Sequence, residues 1–105
     1  MVELRRHSRV TLDTDIVFFP KGSKSGLTAQ AKDVSVGGMF VATQAPLAFG
    51  AELVVHVTLP GQVESLELPG VVRWVRTAEG MGVQFGLLGA RETHAITEIV
   101  KQNET

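Results

Sequence analysis

A chain of 105 residues, 44% apolar and 20% charged, is long enough to form one domain with a single core, and this composition argues against disorder of the whole chain. The absence of cysteine excludes disulfides and thiolate metal sites, and no apolar run is long enough to span a bilayer, so we expect a cytoplasmic protein. The net charge of −1 predicts no strong attraction to polyanions, but the charge is unevenly distributed, with arginines clustered near the N-terminus.

Residues 1–10 are predicted to form a mobile N-terminal arm. Arg5 and Arg9 are four residues apart, with Arg6 and His7 between them. A guanidinium group fits phosphate oxygens or the O6/N7 edge of guanine, and it also stacks on flat rings. Charge clusters near termini are also common as solvated surface, so the arm alone leaves both interpretations open.

Residues 11–102 are predicted to form six or so short β-strands and one helix. Apolar residues recur in strand-like patterns over 12–18, 27–32, 39–43, 53–59 and 81–87. The segment 65–76 is predicted as one bent strand or two short ones, because Pro69 and Gly70 interrupt it. Apolar residues at helical spacing predict an amphipathic helix over about 91–101.

Short strands separated by turn signals and followed by one helix are typical of an all-β antiparallel barrel or sandwich. Closing the sheet removes the exposed edges that such strands otherwise leave. We therefore predict an antiparallel barrel with the helix plugging one end.

The stretch 33–40 is the least ordinary part of the chain. Asp33 and Ser35 alternate, so an extended backbone would direct both side chains to one face. Gly37 and Gly38 suit a turn and leave room for another chain or a ligand. A phosphate loop and a serine-nucleophile elbow are both excluded, because strand-like sequence and not a helix follows.

The histidines give no sign of catalysis or metal binding. His7, His56 and His94 are far apart in the sequence and lack metal-ligand spacing. We predict a protein that is not an enzyme and that needs no metal or cofactor.

Trp74, the only tryptophan, is flanked by Arg73 and Arg76. It would share a strand face with Val72 and pack in the core, or it would border the base of a ligand, and the sequence leaves both open. The basic and aromatic mixture also keeps an oligonucleotide-binding barrel as an alternative. Single-strand binders use several aromatic platforms, whereas this chain has one Trp and five Phe, so binding to nucleic acid is not expected.

The pattern Arg5-x-x-x-Arg9 followed by Asp33-x-Ser35-x-x-Gly38 resembles the paired signature of PilZ domains, receptors for the bacterial second messenger cyclic di-GMP. Segments 71–74 and 82–85 resemble later strands of that family, so the resemblance covers most of the chain. It implies a six-stranded antiparallel barrel with a C-terminal helix, spanning residues 11–102.

The resemblance also implies roles for these residues. Arg5 and Arg9 would contact phosphate or the guanine edge, or stack on a base. Asp33 would accept hydrogen bonds from guanine N1–H and N2–H. Ser35 would add a hydroxyl contact, and Gly38 would allow close approach of the ligand.

Arg6, Gly37 and Trp74 are further candidates for ligand contact. The implied function is a non-catalytic cyclic di-GMP receptor that orders its arm over the dinucleotide. With no output domain of its own expected, it would signal through a partner protein. Two alternatives stay open, a PilZ-like interaction module that does not bind cyclic di-GMP and the oligonucleotide-binding barrel. The number of ligands per site and the oligomeric state are also open.

Overall fold

The computed structural model describes residues 9–102, so Arg5, Arg6 and most of the predicted arm lie outside the described residues. The described residues form a closed barrel of six antiparallel strands followed by one helix. The elements are β1 (Val10–Pro20), β2 (Leu27–Ser35), β3 (Gly38–Ala42), β4 (Glu52–Val57), β5 (Leu66–Arg76), β6 (Gly80–Phe85) and α1 (Ala90–Gln102). The predicted six-stranded barrel with a C-terminal helix is confirmed.

The order of strands around the barrel is β1-β2-β3-β6-β5-β4, and β4 pairs back with β1. Strand β6 therefore lies between β3 and β5, although it follows both in the sequence. This placement brings the outer faces of β2, β3, β6 and β5 together as one continuous surface.

Strand β5 continues through Pro69 as a single strand. The sequence had allowed either one bent strand or two short ones at this point. Pro69 lies opposite Val54, and its carbonyl oxygen accepts the N–H of Gly86 at 2.8 Å. A proline removes one backbone donor but keeps its acceptor, so the ladder continues on that side.

The inward-facing side chains of all six strands form one core. Its fully buried members include Phe18, Val34, Met39, Val41, Val55, Leu68, Val72 and Met81. One face of α1 adds Ala95, Ile96, Ile99 and Val100 to this core. The helix contacts β2 and β5, which lie on opposite sides of the six-strand ring, so α1 crosses one end of the barrel. Within residues 9–102, no helix has the length and apolar character needed to cross a membrane.

A β-bulge interrupts the inside–outside alternation of β2. Its pairing with β3 shifts register between Ala31 and Asp33, and the next residue, Val34, is again fully buried. Lys32 and Asp33 are consequently both on the outer face, as two residues of a bulge opposite one partner residue often are.

A second bulge interrupts β5 in the same way. Its pairing with β6 shifts register between Val72 and Trp74, so Arg73 and Trp74 are both on the outer face. Val72 is fully buried, whereas Trp74 is 43% exposed. The bulge thus resolves the orientation that the sequence left open, and Trp74 faces outward.

Candidate functional site

The β2–β3 hairpin closes through a two-residue turn, Val36-Gly37. Ser35, only 2% exposed, accepts the Gly37 N–H on its hydroxyl oxygen at 3.1 Å. The Gly37 carbonyl accepts the N–H of Phe85 at 2.9 Å. The Ser35 hydroxyl therefore holds the turn together, and the turn is anchored to the end of β6.

Gly38 meets a close neighbour in the backbone of β6. A Cβ at this position would lie 2.2 Å from the carbonyl oxygen of Val83. Neither Gly37 nor Gly38 is among the glycines with positive φ, so tight packing and not backbone conformation requires a glycine at position 38. The space beside Gly38, which the sequence left for another chain or a ligand, is occupied by the backbone of β6. A ligand contact at Gly38 stays a prediction.

Asp33 lies on the outer face where the arm meets the barrel. Its Oδ1 accepts the N–H of Phe40 at 3.0 Å and a guanidinium N–H of Arg9 at 2.5 Å. The two charged side chains are about one-third exposed, 33% for Arg9 and 32% for Asp33. Oδ2 accepts no hydrogen bond from the described residues. Arg9 of one predicted half-motif thus meets Asp33 of the other, and the Asp33 carboxylate keeps one oxygen available.

Four paired residues cross the outer face in a line, and we call them the outer row. Asp33 of β2 lies opposite Phe40 of β3, Phe40 opposite Gly82 of β6, and Gly82 opposite Trp74 of β5. Directly paired residues of an antiparallel sheet project to the same side. The carboxylate and the indole therefore lie on one face, separated by three strand spacings of about 4.8 Å each.

The rings of Phe40 and Trp74 stack above β6, with centroids 5.2 Å apart and planes 17° from parallel. A Cβ at Gly82 would lie 2.0 Å from Trp74 Nε1, and one at Gly80 would lie 2.6 Å from Phe40 Cζ. The absence of both side chains leaves the space that the rings occupy. The Arg76 guanidinium lies 5.2 Å from the Trp74 ring centroid and 5.7 Å from that of Phe40, within the range of cation–π attraction.

The predicted site residues fall into three groups. Those on or beside the outer row are Arg9, Asp33 and Trp74. Those in the adjoining hairpin are Ser35, Gly37 and Gly38. Those outside the described residues are Arg5 and Arg6.

Sequence reasoning missed Phe40, Gly80, Gly82 and Arg76 as parts of this surface. The alternating glycines Gly80 and Gly82 in the β6 sequence were a usable signal, because outward positions without side chains leave room for neighbours. The signal becomes specific only when β6 is known to lie between β3 and β5.

The surface combines one carboxylate, two guanidinium groups and two aromatic rings, which suits a flat ligand with hydrogen-bond donors and negative charge. The described hydrogen bonds of the Ser35 hydroxyl involve only the backbone of its own turn, so no base activates it in the described part of the chain. No group of three or more His, Asp or Glu residues among positions 9–102 is arranged to hold a metal ion.

Comparison with known proteins finds one family. The model of the PilZ domain matches residues 3–102 of this chain. No curated protein matches the sequence.

Several solved structures have the same fold. The inhibitor of motility from Bacillus subtilis (MotI/DgrA) aligns with a TM-score of 0.77 and 18% identity over 96% of this chain, which spans about half of that protein (51%). The PilZ domain of CeSA from a cellulose-synthesizing bacterium aligns with a TM-score of 0.69 and 18% identity, covering 92% of this chain and 98% of that one. The PilZ domain of Escherichia coli YcgR, solved with c-di-GMP, aligns with a TM-score of 0.77 and 15% identity, covering 95% and 91%.

Proposed function

The chain belongs to the PilZ domain family, and from this membership and the outer row we propose that it is a cytoplasmic, non-catalytic receptor for cyclic di-GMP. In this proposal the ligand lies on the outer face, between the arm and the stacked rings. Binding reorganises the arm, and a partner protein responds to the change.

The observation that carries the proposal is the ion pair between Arg9 and Asp33. Arg9 comes from the arginine pattern of the arm and Asp33 from the stretch 33–40, and the two residues are 24 positions apart in the sequence. A cation and a carboxylate side by side are suited to recognition of a guanine nucleotide, because the base offers acceptors on one edge and donors on another.

Asp33 is suited to the donor edge of guanine. Its Oδ2 would accept one of the two parallel N–H groups, N1–H or N2–H, without losing a described contact. Its Oδ1 would accept the other if Arg9 moves, because Oδ1 already receives two hydrogen bonds. A released Arg9 then becomes available for a phosphate or for the O6/N7 edge of a guanine.

The stacked pair of Phe40 and Trp74 would support a base. Trp74 is 43% exposed, so a substantial part of its ring is open to solvent. Stacking of a base on an aromatic side chain contributes about 1–3 kcal/mol. A similar fold, that of the YcgR PilZ domain, was solved with c-di-GMP, which supports this choice of ligand.

The arm supplies the proposed route of signalling. Arg9 leaves Asp33 for the ligand, so the residues that precede it are drawn over the bound dinucleotide. A partner protein is affected only if it binds the two arrangements with different affinity.

The test is calorimetric titration of cyclic di-GMP into the wild type, Arg9→Ala and Arg91→Ala. Loss of one charge-assisted contact of about 1.5–3 kcal/mol should weaken binding at least roughly tenfold in Arg9→Ala. Arg91 lies on α1, where it pairs with Glu64 and Glu92 away from the outer row, so Arg91→Ala should bind as the wild type does.

A wild type that binds no tighter than Arg9→Ala would contradict the proposal. Absent ligand binding together with a stable co-purifying protein would favour an interaction module. Indifference to cyclic di-GMP with steeply salt-dependent binding of single-stranded oligonucleotides would favour the nucleic-acid alternative.

A further inference from the structure

We propose that Arg76 is a further ligand-binding residue and that it contacts a phosphate of the ligand on the side of the outer row opposite the arm. The inference rests on the proposed function and adds a cation that neither the arginine pattern of the arm nor the stretch 33–40 contains.

The strand register places Arg76 and Arg9 on opposite sides of the outer row. Arg76 of β5 lies opposite Gly80 of β6, two residues along each strand from the pair formed by Trp74 and Gly82. That step of about 7 Å leads away from the β2–β3 hairpin. Arg9 precedes Val10, which pairs with Val34, so Arg9 enters from the hairpin side.

Arg76 differs from the other described arginines in its partners. Arg9 pairs with Asp33, Arg91 pairs with two glutamates, and Arg73 donates to Gln84 Oε1 at 2.6 Å. The side-chain contacts of Arg76 within residues 9–102 are the ring faces of Phe40 and Trp74.

Ring faces orient a guanidinium group without using its N–H donors on an acceptor. The Arg76 side chain is therefore positioned by the two rings, and its charge has no acidic partner in the described part of the chain. A planar fork of free donors above an aromatic surface is suited to a phosphate, which accepts two parallel hydrogen bonds.

The chemistry of the ligand gives such a second cation a partner. Cyclic di-GMP has two phosphates on opposite sides of its macrocycle, so cations on one side of the site neutralise only one of them. With a guanine edge at Asp33 and a base against the rings, one phosphate faces the arm. The other faces the side on which Arg76 lies.

The experiment compares Arg76→Gln with Arg73→Gln by calorimetric titration of cyclic di-GMP. Both variants remove one exposed positive charge from the same strand, but Arg73 lies next to Gln84 and not over the rings. We expect binding to weaken about tenfold or more in Arg76→Gln and less than about threefold in Arg73→Gln. Arg76→Lys keeps the charge without the planar fork, so it should restore part of the affinity.

Repeating the titrations at low and high salt tests the phosphate contact itself. The affinity of Arg76→Gln should fall less with added salt than that of the wild type, because one charge–charge contact has been removed. Equal salt dependence in both proteins would overturn the phosphate assignment. Wild-type affinity in Arg76→Gln would overturn the inference and leave the receptor proposal intact, whereas a wild type that does not bind cyclic di-GMP defeats the receptor proposal first.

Discussion

Strands β2 and β5 reach the same surface by the same device and hold their side chains there in different ways. Each has a β-bulge in its pairing with the central strands, β3 for β2 and β6 for β5, and each bulge turns one candidate site residue outward. Asp33 is then fixed by two hydrogen bonds, from Phe40 N–H and from Arg9. Trp74 is fixed by contact with the Phe40 ring, with the Arg76 guanidinium group and with the backbone of β6 at Gly82, where no side chain is present.

This difference divides the candidate site into two halves. The polar half is Asp33 with Arg9 and the β2–β3 hairpin, and the aromatic half is Trp74 with Phe40 and Arg76. Hydrogen bonds to a carboxylate depend on direction, so the position of Asp33 is defined within narrow limits. Ring contacts are less directional, so the position of Trp74 depends mainly on the space above Gly82. A ligand would therefore meet one rigid partner and one that adjusts.

The largest effect is expected from Gly38→Ala, which should damage both halves. A Cβ at this position would lie 2.2 Å from the Val83 carbonyl oxygen, so the β3 and β6 backbones must separate. We expect the free energy of unfolding to fall by about 2–4 kcal/mol in chemical denaturation. In the control Gly86→Ala, the new Cβ meets only the Pro69 carbonyl oxygen at 3.8 Å, so the change should stay below about 1 kcal/mol. Equal stability of the two variants would show that Gly38 is not the point at which β3 and β6 meet.

An intermediate effect is expected from Gly82→Ala, which should break the aromatic half alone. The added methyl group would occupy the position of the Trp74 pyrrole ring, and the indole would have to leave Phe40. The expected loss is about 1–2 kcal/mol, since a side chain and not the backbone must move. Trp74 is the only tryptophan, so the emission spectrum should shift relative to the wild type and to Gly86→Ala. An unchanged spectrum would contradict the stacked arrangement.

The smallest effect is expected from Ser35→Ala, which should loosen the polar half alone. Gly37 N–H loses its acceptor in a part-buried turn, at a cost of about 1 kcal/mol. The control Ser23→Ala removes a similar hydroxyl from an exposed turn, where Ser25 N–H donates to Ser23 Oγ at 3.1 Å, and should cost less than about 0.5 kcal/mol. If both variants are equally stable, the Ser35 hydroxyl does not hold the turn. The emission of Trp74 should stay as in the wild type.

The sequence predicted the elements better than it predicted their outer surface. Alternation of apolar residues identifies strands because side chains project to opposite faces, and the helical spacing near the C-terminus identifies α1 for a similar reason. A bulge shifts that alternation by one residue, so the outward orientation of Trp74 could not be predicted from its spacing to Val72.

The roles of Phe40, Gly82 and Arg76 depend on contacts between strands that are distant in the sequence. Strand β6 lies between β3 and β5, and no local pattern specifies that order. The proximity of Arg9 to Asp33, in contrast, could be expected from the sequence, because the two half-motifs suggested a shared ligand.

The pairing of Val10 with Val34 has a consequence for the role proposed for Arg9. Val10 is buried, so the chain is tethered to a fixed point beside Asp33. A tethered group acts at an effective concentration set by the tether, often in the millimolar range, whatever the dilution of the protein. In the proposed complex, the encounter of Arg9 with a ligand held at Asp33 is thus intramolecular. A detached peptide with the sequence of residues 1–9 would replace the tethered Arg9 only if its concentration in solution reached that effective concentration.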